Sequence, residues 1–193
     1  MKKQLLVLVY VISSFSIFAQ SEKTVFHNLG LTGAWGGWSY NATINNSSYN
    51  SFNGGVWGLE FGKTLLVGGL HYTVPDAAIN SNYNLRTNSL YLAYLIQSYK
   101  PIHPLVSLAI GGGSITQNDT RIGNTVLVLQ PAAGVEINAL RVCHIDLQGG
   151  YRAALTSNNT TYANTNFSGF YAQLNLRLGF SWGHGTEYDK RRW

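Results

Sequence analysis

The sequence predicts an all-β protein, an eight-stranded antiparallel up-and-down transmembrane β-barrel, and three observations carry that prediction. Residues 170–182 alternate between an apolar row and a polar row, which is the period of a β-strand. This alternation lasts more than twice as long as the usual strand of about five or six residues. Only 11% of the residues are charged, whereas a typical soluble domain has about 25%.

The length of this last strand matches the thickness of a membrane. Its apolar row runs from Phe170 to Trp182, which is roughly 40 Å at about 3.3 Å per residue. A strand tilt of about 40° leaves a vertical rise near 30 Å, the thickness of a bilayer's hydrocarbon core. We therefore assign the apolar row to lipid and the opposite row to the barrel interior.

The chain begins with a segment that is typical of a secretory signal peptide. Lys2 and Lys3 precede an apolar run over residues 5–18, and Ala19 offers a cleavage site before Gln20. No later apolar run approaches about 18 residues, so a membrane-spanning form would have to be a closed barrel. We expect a signal peptide over 1–19, a barrel domain over 20–182 and a polar periplasmic tail over 183–193.

Strands one to four are predicted from alternation between turn-rich breaks. Their ranges are His27–Tyr40, Phe52–Phe61, Leu65–Val74 and Arg86–Tyr99. In strand two, Trp57 and Phe61 alternate with positions that include Glu60. In strand three, the row that contains Tyr72 is assigned to the lipid side and His71 to the interior.

Strands five to eight continue the pattern. Their ranges are Leu105–Thr116, Thr125–Ile137, Arg141–Ala153 and Phe170–Trp182. Strand six alternates Leu129 and Val135 with Gln130 and Glu136, and strand seven places Asp146 opposite its apolar row. Each of these strands thus predicts one lipid-facing side and one interior side.

The connections between strands fall into two alternating classes. The short ones are Gly62–Thr64, Lys100–Pro104 and Asn138–Leu140. The long ones, rich in Asn, Ser and Thr, are Asn41–Ser51, Pro75–Asn84, Gln117–Asn124 and Thr156–Asn166. This alternation predicts that both termini lie on the periplasmic side and that the long loops face outward.

In this pattern the chain resembles the small eight-stranded outer-membrane β-barrels of Gram-negative bacteria, the OmpA transmembrane-domain and OmpX-like class. Members of that class typically end on an aromatic residue preceded by alternating apolar residues, and Leu178, Phe180 and Trp182 match that signal. Here the segment 183–193 follows it. The resemblance implies an outer-membrane protein that contacts membrane lipid and lipopolysaccharide and is inserted by the barrel-assembly machinery.

The polar rows predict a cluster of hydrogen-bonding and charged side chains inside the barrel. Its members are Glu60, His71, Gln130, Glu136, His144, Asp146, Gln148, Arg152, Asn175 and Arg177. An eight-stranded barrel is only wide enough for side chains to fill, so these groups must pair with one another. We expect Arg177 to be the cation that satisfies the carboxylates of Glu60, Glu136 or Asp146.

Aromatic residues on the outward rows predict two girdles, one at each membrane interface. The periplasmic girdle contains Phe61, Phe180 and Trp182. The outer girdle contains Tyr72, Tyr151 and Phe170.

The composition argues against nucleic-acid binding and against a metal, cofactor or catalytic site. The formal net charge is +5, and it becomes +3 once Lys2 and Lys3 leave with the predicted signal peptide. Lys190, Arg191 and Arg192 account for that remaining excess, so it does not indicate nucleic acid. Cys143 is the only cysteine, and no pair of histidines has metal-ligand spacing, so we predict no metal, cofactor or catalytic residue.

The leading hypothesis is a structural or surface-interaction protein that displays its long loops. These loops contain Tyr49, Tyr83 and Tyr162, which suit contact with an extracellular glycan or protein ligand. Three alternatives stay open: a narrow pore, a lipid-modifying outer-membrane enzyme, and a soluble ligand-binding barrel of the avidin type.

Overall fold

The computed structural model describes residues 30–45, 48–73, 83–117, 120–156 and 167–182. The predicted signal peptide, the predicted tail and the start of predicted strand one lie outside these ranges. Among the residues described, no helix is long and apolar enough to cross a membrane.

Eight antiparallel strands close into a single barrel in which each strand pairs with its neighbours in the sequence and the first pairs with the last. The strands are β1 Leu31–Asn45, β2 Ser48–Phe61, β3 Leu65–Thr73, β4 Tyr83–Leu95, β5 Ile102–Gln117, β6 Thr120–Leu140, β7 Cys143–Thr156 and β8 Gly169–Ser181. The predicted fold class is confirmed.

The pairing register defines the slope of the strands. A path that starts at Gly33 and follows paired residues through all eight strands returns to β1 at Thr43, ten residues further along. With a rise of about 3.3 Å per residue and a strand spacing of about 4.8 Å, this shear gives a tilt of roughly 40°. Each step round the barrel along the hydrogen bonds therefore climbs about 3 Å.

Several strands end in places that the sequence did not predict. β1 and β2 remain paired out to Asn45 and Ser48, and β5 and β6 out to Gln117 and Thr120. The predicted loops 41–51 and 117–124 are therefore wrong for most of their length. These segments are rich in Asn, Ser and Thr and so resemble loops in composition, although the inward residues Asn41 and Thr43 of β1 are fully buried.

At the opposite end of the barrel the connections are short. The β2–β3 turn contains Gly62 and Lys63, whose φ angles of 57° and 58° fit the type I′ turn that matches strand twist. β4 ends at Leu95 rather than Tyr99, and β6 continues to Leu140. We call this the short-turn end and the other the long-connection end.

The interior has two unlike walls, and this explains an error in strand three. The inward rows of β2–β5 are mostly apolar and those of β7, β8 and β1 are mostly polar, while that of β6 is mixed, with Val126 and Val128 in the same row as Gln130 and Glu136. In β3 the inward residues include Leu66, Leu70 and Tyr72, while His71 is exposed on the outside. The predictions that His71 lies inside and that Tyr72 faces lipid are wrong, because the rule of a polar interior fails on the apolar wall.

Candidate functional site: the polar interior

Most of the residues predicted for the interior lie on its polar wall. Those that are buried there are Gln130, Glu136, Asp146, Gln148, Arg152, Asn175 and Arg177. His144 and Glu60 are half-buried near the short-turn end. The alternation of β6, β7 and β8 brings these side chains together, since three neighbouring strands present the same polar row inward.

Arg177 binds two carboxylates in the half of the barrel nearer the short-turn end. We call this the lower half, and the half nearer the long-connection end the upper half. Its Nε donates to Asp146 Oδ2 at 2.8 Å, and its Nη2 donates to Asp146 Oδ1 at 3.1 Å. The same Nη2 also donates to Glu136 Oε2. All three residues are at most 2% exposed, so the guanidinium compensates charges that water does not reach.

Two histidines complete the surroundings of Glu136. His144 Nδ1 lies 3.1 Å from Glu136 Oε1, and His103 Nε2 lies 3.7 Å from the same oxygen. His103 Nδ1 faces the carbonyl of Lys100 at 3.0 Å. Sequence reasoning missed His103 because predicted strand five began at Leu105, but the alternation extends back to it in β5.

A chain of hydrogen bonds leads from this cluster toward the long-connection end. Asn175 Nδ2 donates to Asp146 Oδ2 at 3.3 Å, and Gln173 Nε2 donates to Asn175 Oδ1 at 2.9 Å. Asn41 Nδ2 donates to Gln173 Oε1 at 3.4 Å, and Thr43 Oγ1 donates to Asn41 Oδ1 at 3.0 Å. These hydrogen bonds connect the polar side chains of the wall to one another from Asp146 to Thr43.

Arg152 lies at the upper end of this chain in an aromatic environment. Its guanidinium stands 3.8 Å from the centroid of Phe52 and within 6 Å of the rings of Tyr72 and Tyr171. Nη1 donates to Thr43 Oγ1 at 3.1 Å, and Nη2 donates to the amide oxygen of Gln130 at 2.8 Å once that amide is turned toward it. Within the described ranges no carboxylate pairs with Arg152.

Other interior contacts join the two walls. Gln148 Nε2 donates to Tyr91 Oη at 3.1 Å, and Ser107 Oγ donates to Gln148 Oε1 at 2.5 Å. Ser39 Oγ contacts both Tyr72 Oη and Asn175 Oδ1 at 2.6 Å. The Ser39 and Gln148 contacts thus tie the polar wall to Tyr72 and Tyr91 on the apolar side.

Glu60 forms a separate group at the rim. Its Oε1 accepts from Thr32 Oγ1 at 2.9 Å and from Ser181 Oγ at 2.8 Å. None of the hydrogen bonds among the described residues connects it to Arg177. Of the three carboxylates predicted as partners of Arg177, Glu136 and Asp146 bind it in the structure. Glu60 of β2 instead contacts Thr32 of β1 and Ser181 of β8.

The outer surface carries the apolar rows and most of the predicted girdle. Phe180 and Trp182 are exposed near the short-turn end with Phe61 half-buried beside them, and Tyr151 and Phe170 contact edge to face at 5.3 Å toward the other end. Ten residues of β8 separate Phe170 from Phe180, which is about 25 Å along the barrel axis at this tilt. That is the height of the apolar band of transmembrane barrels, about 25 Å.

Comparison with known proteins identifies the architecture. Neisserial surface protein A has a TM-score of 0.53 and 12% identity, and the match covers 81% of this chain and 100% of that one. The N-terminal β-barrel domain of Pseudomonas aeruginosa OprF has a TM-score of 0.55 and 12% identity, with 78% of this chain and 99% of that one covered. The chain has the fold of these eight-stranded outer-membrane barrels.

Comparisons at the level of sequence add no relative. No protein-family model matches the chain, and no curated protein matches it. The described residues also contain no group of His, Cys, Asp and Glu that could hold a metal ion.

Proposed function

We propose that this protein is an integral outer-membrane β-barrel, closed by its own side chains, with a structural and surface-interaction role. The observation that carries the proposal is the inversion of polarity across the barrel wall. Charged Glu136, Asp146, Arg152 and Arg177 are buried inside, while large apolar side chains cover the outside. A soluble barrel of the avidin type would have the opposite distribution, because exposed apolar belts of this height aggregate in water.

Two of the four long loops that the sequence predicts are mostly paired strand, so fewer residues are left to form loops at the cell exterior. The β1–β2 and β5–β6 hairpins stay paired nearly to their tips. Contact with an extracellular glycan or protein therefore falls mainly to the connections 74–82 and 157–166 and to the polar strand ends beside them. The barrel would hold the strand ends at Thr73, Tyr83 and Thr156, which flank these segments, at a fixed height.

Fractionation and electrophoresis test the membrane assignment. The full chain should fractionate with the outer membrane, and unheated folded protein should migrate differently from heated protein on a detergent gel. The buried ion pairs of Arg177 with Asp146 and Glu136 hold three strands together, so the shift should persist at moderate denaturant. Recovery of the protein in the soluble periplasmic fraction, without a heat-dependent shift, would exclude this function.

Planar-bilayer recording tests whether the interior is closed. Folded protein should give no steady ionic current, because Arg177 and its two carboxylates are buried in the interior and paired with one another. A steady current from homogeneous folded protein would favour the narrow pore instead. Mass spectrometry of lipid A from cells with and without the protein tests the lipid-modifying alternative, for which a mass difference is required.

A further inference from the structure

The apolar outer surface is interrupted on one side of the barrel by polar residues. They occupy two neighbouring rows of paired outward positions at the upper part of β2–β5. The first row is Asn53, Thr73, Arg86 and Ser114, and the second is Gly55, His71, Asn88 and Gly112. We call these eight residues the outer polar patch.

The patch has a sharp lower boundary. The next outward row toward the short-turn end consists of Trp57, Gly69, Leu90 and Ile110. Trp57 is 64% exposed and Leu90 is 54% exposed, so this row is the upper edge of the apolar belt on this side. In the next outward row, two residues further up each strand, every residue is either polar or glycine.

On the opposite side of the barrel, the same height is apolar. With the strand tilt included, His71, Thr73 and Arg86 lie within about 5 Å of the mean height of Tyr151 and Phe170. Tyr151, Phe170 and Ile44 form a paired, exposed apolar row there. The patch is therefore at the level of an aromatic girdle but lacks aromatic residues.

Hydrogen bonds connect His71 to two other residues of the patch. His71 Nδ1 lies 2.8 Å from Asn88 Oδ1, which can only accept, so Nδ1 carries the hydrogen. Thr73 Oγ1 lies 3.2 Å from His71 Nε2. These contacts occupy the oxygen of Asn88, whose side chain is exposed and whose Nδ2 group makes no hydrogen bond with another described residue.

Arg86 supplies the charge of the patch. Its side chain is exposed, directly paired in register with Thr73 and Ser114, and contacted by no carboxylate of the described residues. Flanking Gly55 and Gly112 leave open space beside His71 and Asn88, since a Cβ at either glycine would meet nothing nearer than 3.6 Å. The patch thus offers a cation, an amide donor and hydroxyls in one shallow region.

We propose that the outer polar patch binds the phosphate-bearing headgroup of an anionic glycolipid in the outer leaflet, with Arg86 as the charged contact and Asn88 as the neutral donor. The height of the patch coincides with the outer interface, where such headgroups lie. A guanidinium with five donors suits a phosphate in forked geometry. This inference rests on the proposed membrane location and adds a ligand class to it.

The test compares lipid retention by variants that fold equally. The full chain is folded into phosphatidylcholine nanodiscs that contain a minor fraction of diphosphorylated lipid A, extracted gently, and examined by native mass spectrometry. Arg86→Gln should lower the retained lipid A about fivefold, the effect of one interfacial cation. The matched control is Arg141→Gln, which removes an exposed arginine from the β6–β7 turn at the other end and should retain lipid A as wild type does.

A second arm replaces the lipid with its dephosphorylated form, which wild type should not retain. Equal retention by wild type and Arg86→Gln, equal loss in both variants, or equal retention of dephosphorylated lipid would overturn the proposal. A heat-shift gel on the same samples separates the two hypotheses. Inserted protein without lipid A would contradict the patch alone, whereas protein that does not insert would contradict the membrane assignment and the patch together.

Discussion

Two buried arginines, Arg152 and Arg177, have positive charges that are stabilised by different partners inside the barrel. Arg177 lies between Glu136 and Asp146, so its removal leaves both buried carboxylates without the guanidinium that pairs with them. Arg152 rests on the ring of Phe52 and donates to neutral oxygens. Both are at most 2% exposed, so burial alone does not distinguish them.

Arg177→Met should destabilise the folded barrel by about 3–5 kcal/mol, the cost of breaking a buried ion pair from one side. A urea titration of the heat-dependent gel shift in lipid vesicles measures this change. Arg141→Met, in an exposed turn, is the control. Adding Glu136→Gln and Asp146→Asn to Arg177→Met should recover part of the loss. A midpoint for Arg177→Met equal to that of Arg141→Met would contradict the assigned pairing.

Arg152→Met should cost less, about 1–2 kcal/mol, although the side chain is just as buried. The substitution removes the hydrogen bonds to Thr43 and Gln130, each worth about 1 kcal/mol. It leaves no carboxylate unpaired among the described residues, and methionine retains contact with Phe52. The same urea titration compares the two arginines directly. If Arg152→Met were the more damaging change, Arg152 would have an acidic partner in the connections.

At the scale of the strand, facing glycines make room for a large interior aromatic residue. Gly58 in β2 pairs with Gly68 in β3. A Cβ at Gly58 would overlap the carbonyl oxygen of Val67 and lie 2.9 Å from Cζ2 of Trp35. The indole of Trp35 therefore occupies the space that a side chain at position 58 would need.

Gly58→Val should destabilise the barrel by about 1–3 kcal/mol, since overpacking a filled interior forces strands apart. Gly36→Val is the matched control on β1, because that position faces outward and a Cβ there meets nothing nearer than 3.8 Å. We expect the control to change stability by less than about 0.5 kcal/mol. The urea midpoints of both variants, measured in the same vesicles, decide the matter. Equal midpoints would show that Trp35 can repack.

The alternation of polar and apolar residues predicted some strands far better than others. In β7 and β8, and in the part of β6 from Gln130 onward, the inward row is mostly polar and the outward row mostly apolar. The sequence alone therefore assigns Glu136, Asp146 and Arg177 to the same side. In β3 both rows contain apolar residues, because Leu66 and Leu70 pack inside. No local pattern distinguishes an apolar interior wall from a lipid-facing one.

The upper strand ends and the partners of Arg177 required the register. Strand ends rich in Asn, Ser and Thr resemble loops in composition, which is why the sequence predicts loops over 41–51 and 117–124. The choice between Glu60, Glu136 and Asp146 depends on the shear of the barrel. That quantity is set by the closure of β1 on β8 and does not appear in any single segment of the sequence.

At the scale of the whole molecule, the apolar outer surface has a defined height. The Phe170–Phe180 interval corresponds to about 25 Å along the axis. On the side of the outer polar patch the apolar surface ends lower, at the row that contains Trp57 and Leu90. The membrane must therefore accommodate a wall of unequal height.

Folding yield should peak in bilayers whose hydrocarbon core is about 25 Å thick and fall as the core becomes thicker. The measurement is the folded fraction by gel shift across phosphatidylcholines of increasing chain length. A protein whose belt is lowered on one side should tolerate thin bilayers better than thick ones. A yield that rises steadily with thickness would contradict the assigned belt. Replacing Arg86 and Asn88 by leucine should move the optimum toward thicker bilayers.

The last strand, β8, both closes the barrel by pairing with β1 and supplies Arg177 to the interior. A polypeptide that has not yet supplied Gly169–Ser181 has two unpaired sheet edges, and it also holds Glu136 and Asp146 without Arg177. The same thirteen residues thus complete the backbone hydrogen bonds and neutralise the interior. A chain without β8 would therefore enter a membrane with unpaired backbone groups and with unpaired carboxylates. Addition of β8 satisfies both at once.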